Sequence, residues 1–263
     1  MVLVQPVPML DDNYGYLIID EESKVAAAVD AVEPAKVEAA AAAAGVSVEL
    51  VLTTHNHWDH AGGNEEYASL KAGLTIVGGV GDGAAGTTRE VSHDDTLTIG
   101  AISIRVLATP CHTPGHVCYL AEDPRDDSPG AVFTGDTLFS SGCGKFNAGT
   151  PAQMHHALNV VLAKLPGETE VYNGHEYTVS NLRFARSVEP ENAAMREKEE
   201  WAVTQIAAGK TTLPSTIANE LATNPFMRLG EEAVLAYTGK TDPVDVIMEL
   251  RTRKNNFRPP ARK

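Results

Sequence analysis

A chain of 263 residues with 43% hydrophobic and 21% charged residues has the make-up of a soluble globular protein, in one large domain or two smaller ones. Its formal net charge of -14 argues against a nucleic-acid partner, and no apolar run approaches the length of a membrane span. Cys111, Cys118 and Cys143 make neither a disulfide framework nor a paired zinc spacing, and no basic residue precedes Lys24, so a cytoplasmic protein without a secretory leader is expected.

In chain order, residues 13–20 and 24–30 predict a strand pair, turning at Asp20 to Ser23. Pro34 opens a helix that Gly45 closes. Residues 48–54 are mostly apolar and β-favouring and predict a mostly buried strand. It runs into Thr54-His55-Asn56-His57-Trp58-Asp59-His60, after which Gly62 and Gly63 turn the chain into a short helix over 65–72. Three histidines and a carboxylate within six residues are the ligand types that zinc and iron take. His55 and His57 are two apart, so an extended backbone presents both on one side. Asp59 and His60 come where the chain turns and can face another point of the same pocket. One metal needs about three or four protein ligands, so these four residues are enough to begin two sites.

Residues 74–77 predict a strand, and the glycine-rich run 78–86 lacks the P-loop lysine and reads as a loop. A hairpin over 96–99 and 102–108 leads to His112, and a strand over 116–120 precedes a polar excursion at 124–130. The strand over 131–136 ends in Asp136. Thr150, Pro151 and Gln153 form a capping box for a helix to about residue 165. Residues 170–175 form a strand ending in His175. Four strands therefore end in metal-ligand types, and such ends can converge on one rim of a sheet. Beyond Tyr177 strands run out, and helices are predicted over 181–188, 192–208, 215–222, 231–237 and 243–256. That shift divides the chain into 1–176 and 177–263. From Arg251 to Lys263 there are six basic residues and no acid. Arg251 and Lys254, three apart, share one helix face, while Arg258, Arg262 and Lys263 read as a solvated tail.

The pattern His-X-His-X-Asp-His after a strand, with His112, Asp136 and His175 at later strand ends, resembles the metallo-β-lactamase superfamily. Further motifs extend the likeness to its glyoxalase II (hydroxyacylglutathione hydrolase) family over essentially the whole chain. They lie at 12–14, 54–64, 108–113, 133–139, 142–146, 174–178 and 224–228. The resemblance implies an α+β fold: an αββα sandwich with its metal site at one edge of the two sheets, followed by a small all-helical C-terminal domain. It implies two divalent metal ions, with His55, His57 and His112 on one, Asp59, His60 and His175 on the other, and Asp136 bridging. Zinc is expected, with iron or a zinc/iron mixture as the alternative. Asp59 and Asp136 become the catalytic carboxylates, and His116 takes a structural role.

Lys145, Phe146, Tyr177, Arg251 and Lys254 would bind glutathione, the basic pair facing its carboxylates. Asn147 departs from the family, which often has an aromatic residue there, and Asn56 replaces a common histidine that is not a ligand. The implied activity is hydrolysis of an S-(2-hydroxyacyl)glutathione thioester, S-D-lactoylglutathione above all, by a monomer with small-molecule partners only. The competing readings are a mononuclear-iron glutathione persulfide dioxygenase, against which stand Trp58 and the long helical part, and a zinc-stabilised scaffold. A scaffold leaves more ligands than a closed structural site needs.

Overall fold

The computed structural model describes residues 2–258. Two six-stranded sheets face one another. The first runs in chain order through β1 (Leu3–Met9), β2 (Asn13–Asp20), β3 (Val25–Val29), β4 (Ser47–Leu52), β5 (Thr75–Gly79) and β6 (Arg89–Val91). β1, β2 and β3 pair antiparallel, and β3 to β6 are parallel. The parallel crossovers carry α1 (Pro34–Ala44), α2 (Trp58–Ala61) and α3 (Asn64–Leu70). The second sheet contains β7 (Thr96–Ile99), β8 (Ile102–Ala108), β9 (Val117–Glu122), β10 (Ala131–Gly135), β13 (Glu170–Asn173) and β14 (Ser215–Thr216). A separate small hairpin joins β11 (Leu138–Phe139) to β12 (Gly142–Cys143).

Side-chain alternation builds the layers. Along β2, Tyr14, Tyr16 and Ile18 face the core between the sheets, while Leu17 and Ile19 face a second core under α1. Along β9, Val117, Tyr119 and Ala121 face the inter-sheet core, and Cys118 and Leu120 face a third core shared with the helices. Strands buried on both faces read as the continuous apolar runs seen in the sequence. The result is the αββα arrangement expected. Among the described residues, no helix is long and apolar enough to cross a membrane.

The third core unites the second sheet with α4 (Pro151–His155), α5 (Thr178–Val188), α7 (Ile217–Thr223), α8 (Glu232–Thr238) and α9 (Pro243–Asn256). α6 (Ala193–Ala207) packs on α5. The capping box at Thr150 and Gln153 is present, but the helix it starts widens to a π-turn over His156–Val161 and tightens to 3-10 over Leu162–Lys164. Strands do not wholly run out after Tyr177: Ser215–Thr216 return to pair with β13, so α7 starts two residues later than the predicted helix. β1 and β6 are also additions to the predicted elements. Pro6 and Pro8 mask β1 as a strand, and they are tolerated because β1 is an edge.

Candidate metal centre

The two sheets meet at one edge through backbone hydrogen bonds. Tyr14 N donates to Gly174 O at 2.9 Å, and Val117 N donates to Thr54 O at 3.0 Å. Each bond joins a first-sheet segment to a second-sheet segment beside a ligand residue. At this edge His55, His57 and His112 bring ligand atoms together, as do Asp59, His60 and His175, and as do His55, His60 and Asp136; within each group these atoms lie within 4.8 Å of one another. The chain leaves β4 at Leu52, and α2 starts at Trp58, which swings Asp59 and His60 away from the extended His55–His57 segment. Gly135 takes a left-handed φ of +45°, and a methyl group on Gly174 would run into the Asp136 carboxylate and the His60 ring.

Hydrogen-bond partners fix which ring nitrogens face inward. His112 Nδ1 lies 3.0 Å from Lys145 O, a carbonyl that can only accept, so Nδ1 carries the proton. His60 Nδ1 meets Asp30 Oδ2 at 2.9 Å, and His175 Nδ1 meets Asp12 Oδ1 at 2.9 Å. The Thr54 hydroxyl donates to Asp30 Oδ2 at 2.8 Å, so it accepts from His55 Nδ1 at 3.0 Å. Four imidazoles thus turn Nε2 into the site, oriented by outer partners as metal-binding histidines are. His57 Nδ1 lies 3.1 Å from His55 Nε2 and 3.0 Å from His112 Nε2. His60 Nε2 lies 3.2 Å from His175 Nε2. Ring nitrogens gathered this closely suit a shared cation.

Asp136 stands between the two clusters. Its Oδ2 is 3.3 Å from His112 Nε2, and its Oδ1 is 3.4 Å from His60 Nε2 and 3.5 Å from His175 Nε2. Oδ1 is buried and has no hydrogen-bond partner. An orphaned buried carboxylate oxygen is costly to leave so, and a metal bond satisfies it. The donor set of imidazoles and carboxylates, with no thiolate, therefore fits divalent cations of the zinc and iron type. Burial and the neighbouring imidazoles hold the His55 pKa well below its ordinary value, and burial lowers that of His112, which keeps both neutral and able to ligate. Burial opposes charge on His60 too, but Asp136, Asp30 and Asp59 outweigh it and push its pKa up to about 9. The His175 hydrogen bond holds Asp59 well below the usual carboxylate range.

His116 has no place in any of the three clusters. It is fully buried, its ring stacks on His55 at 5.0 Å, and its Nε2 accepts the Asp136 amide at 3.2 Å. Cys111 is buried with its thiol pKa pushed up to about 11, and the thiol donates to Thr150 O at 3.4 Å, which gives it no nucleophilic character. Sequence reasoning did not find Asp30 as the partner of His60 or Lys145 O as the partner of His112. The only trace of Asp12 was its position in a motif.

A cleft of about 440 Å³ opens over the metal centre. Tyr177, Lys145, Asn147, Arg251 and Lys254 line it with Asp59 and Asp136. Tyr177 stacks flat on His175 at 4.8 Å. Arg251 is buried and donates to Cys143 O at 2.9 Å, and Lys254 Nζ lies 5.4 Å from the Phe184 ring centre. Burial, then the Arg251 charge, bring the Lys254 pKa down to about 8. Phe146 does not line the cleft; it packs against the third core. Arg258 is exposed, and Arg262 and Lys263 lie outside the described residues.

Known proteins resemble the chain over nearly its whole length. Residues 19–175 match the model of the metallo-β-lactamase superfamily, and residues 176–257 match that of the hydroxyacylglutathione hydrolase C-terminus. A cytoplasmic hydroxyacylglutathione hydrolase of Arabidopsis thaliana is 49% identical over 253 residues, covering 96% of this chain and 98% of the relative. A hydroxyacylglutathione hydrolase of Dictyostelium discoideum is 40% identical, covering 97% and 99%. Among solved structures, ETHE1 from Myxococcus xanthus superposes with a TM-score of 0.67 at 27% identity, covering 98% of this chain and 92% of that one.

Proposed function

The chain belongs to the hydroxyacylglutathione hydrolase family of the metallo-β-lactamase superfamily, and from that premise we propose how its own residues carry out the hydrolysis. It is a metal-dependent hydrolase of S-(2-hydroxyacyl)glutathione thioesters, the glyoxalase II activity. The single observation that carries the mechanistic reading is Asp136, whose two oxygens face two separate histidine clusters, one of them orphaned and buried.

His55, His57 and His112 would hold one divalent cation, Asp59, His60 and His175 a second, and Asp136 both. Zinc or iron suits these donors. A bound pair would supply hydroxide at neutral pH and a Lewis acid for the thioester carbonyl. The chain's part is placement. Asp30 and Asp12 set the inward face of His60 and His175, and Lys145 O sets that of His112. His116, through the Asp136 amide, holds the bridging carboxylate in place.

In the reaction a C–O bond replaces the C–S bond, and the acyl group leaves as a 2-hydroxy acid, with D-lactate the proposed product. Sulfur departs as the thiolate of glutathione, a weak base, so the site needs no strong general acid. Lys254 and Arg251 offer the positive charge that glutathione's carboxylates require, with Lys145 and Tyr177 on the same cleft. Residues 1–176 act as the catalytic unit and 177–263 as the substrate unit. Every ligand and cleft group named comes from one chain, so a monomer suffices, and the name of the Arabidopsis relative supports a cytoplasmic setting.

The test is incubation of the purified protein with S-D-lactoylglutathione, with metal analysis of the same sample. Thioester loss at turnover rates of order 10 per second or more, with about two metals per chain, is expected. Oxygen uptake with glutathione persulfide, in place of thioester hydrolysis, would overturn the reading.

A further inference from the structure

Hairpin β11–β12 belongs to neither large sheet, yet Phe139 and Cys143 make it one wall of the cleft. What holds it comes from the helical region. Glu220 on α7 is completely buried. Its Oε2 accepts the Ser141 amide at 2.7 Å and the Asn224 side-chain amide at 3.0 Å. Its Oε1 accepts from Lys198 Nζ at 2.7 Å and from the Ser215 hydroxyl at 2.5 Å. Lys198 supplies the opposite charge without which a buried carboxylate is strongly unfavourable.

The other end of the bond is equally constrained. Ser141, at the hairpin turn, has a left-handed φ of +55° without being glycine. Such a backbone persists where its surroundings over-determine it. Ser141 Oγ lies 3.0 Å from Thr223 Oγ1, and the flanking carbonyls are capped by the helical region as well. Asn181 donates to Ser140 O at 3.1 Å, and Asn224 donates to Gly142 O at 2.9 Å. From this anchored turn the two strands reach the substrate side. Phe139 meets the Tyr177 ring edge-on at 5.2 Å, and Cys143 O accepts from Arg251 at 2.9 Å.

We propose that Glu220 is a positioning residue for substrate binding: its bond to the Ser141 amide latches the hairpin and so fixes Tyr177 and Arg251 against the tripeptide part of the substrate. The inference rests on the glutathione-thioester reading above. Glu220 touches no reacting atom, so its removal should weaken binding and leave the chemistry alone.

The experiment compares KM, kcat, metal content and the affinity for glutathione itself in the parent and two variants. Glu220→Gln leaves a single carboxamide oxygen for the four donors that the carboxylate takes, the Ser141 amide among them, and an about tenfold rise in KM and in the glutathione Kd is expected, since a lost buried hydrogen bond of about 1.4 kcal/mol is tenfold. Metal content and kcat should stay at the parent's level. Thr223→Val keeps Glu220 and removes the hydroxyl that meets Ser141 at 3.0 Å, Lys198 Nζ at 3.3 Å and Asn219 O at 2.8 Å; a rise of about two- to threefold is expected of it, and it decides the matter if Glu220→Gln does not fold. A folded variant with the parent's KM overturns the latch. So does a loss of metal or kcat at the parent's KM, because the hairpin would then serve the metal centre. If the parent itself turns over no glutathione thioester, the family reading falls first and this inference falls with it.

Discussion

The candidate metal centre and the proposed substrate wall of the cleft lie side by side but are built by different rules. The metal centre is chemically explicit. His55, His57, Asp59 and His60 come from one short stretch after β4, and His112, Asp136 and His175 lie in the segments that follow β8, β10 and β13 at the shared edge of the two sheets. The substrate wall is explicit nowhere. Phe139 and Cys143 sit on an isolated hairpin, Tyr177 opens α5, and Arg251 and Lys254 arrive on α9 from the far end of the chain. A site whose donors must be particular residue types can be spelled in sequence. A wall that needs only shape and local charge is spelled by packing.

The sharpest way to break that contrast is Asp136→Ala. Removal of the shared carboxylate should lower thioesterase activity by roughly three orders of magnitude and lower metal content. The measurement is kcat alongside metal per chain. Full metal occupancy with sustained turnover would show that the two clusters do not depend on the bridging carboxylate.

Asp30→Ala should have the next largest effect. Asp30 has no ligand role, but it accepts the Thr54 amide at 2.8 Å, the Thr54 hydroxyl at 2.8 Å and His60 Nδ1 at 2.9 Å. It thereby orients His60 directly and His55 through Thr54. Losing such an outer partner typically lowers metal affinity by about 10- to 100-fold. Competition with a chelator measures it, and an unchanged affinity would assign Asp30 to folding alone.

Asp30 also marks where sequence reasoning stops. The seven candidate ligands were legible because imidazole and carboxylate side chains at strand ends are rare outside metal chemistry. The αββα layers followed from the family likeness of the motifs, while β2 and β9 were legible as strands because they are apolar on both faces. Asp30 was not, because it is separated from His60 by 30 positions and looks like any residue ending a strand. The hairpin at 138–143 escaped notice because two-residue strands carry no periodicity. β14 escaped for the same reason, and its return to the second sheet joins the helical region to the sandwich. Phe146, an aromatic beside Lys145 read as a contact residue, lies half-buried against the third core.

On the substrate side, Lys254→Met should raise KM for the thioester by about tenfold, as expected for the loss of one charge-assisted hydrogen bond. Arg251→Ala should do the same or more, since Arg251 also holds the Cys143 carbonyl. kcat should change less than KM in both, the mark of binding shared by ground and transition states. Equal losses in kcat would move α9 into the chemistry and erase the division between the two regions.

The smallest effect is a pH limb, and it probes the same division without touching a ligand. Lys254 holds its proton with a pKa of about 8 in the folded protein against 10.5 for an ordinary lysine, through burial first and the Arg251 charge second. Between those values the unfolded chain binds a proton that the folded chain has released, so this group makes stability rise with pH from about 8 to 10.5. Below that window both states are charged and the contribution is flat. Affinity moves the other way, because the cation that meets a glutathione carboxylate is lost as pH passes 8. kcat/KM reports the free enzyme, so it should fall above pH 8 while kcat holds, and Lys254→Met should flatten that limb at a lower plateau. A limb that survives the substitution belongs to another group, and the cleft charge would then rest on Arg251 and Lys145.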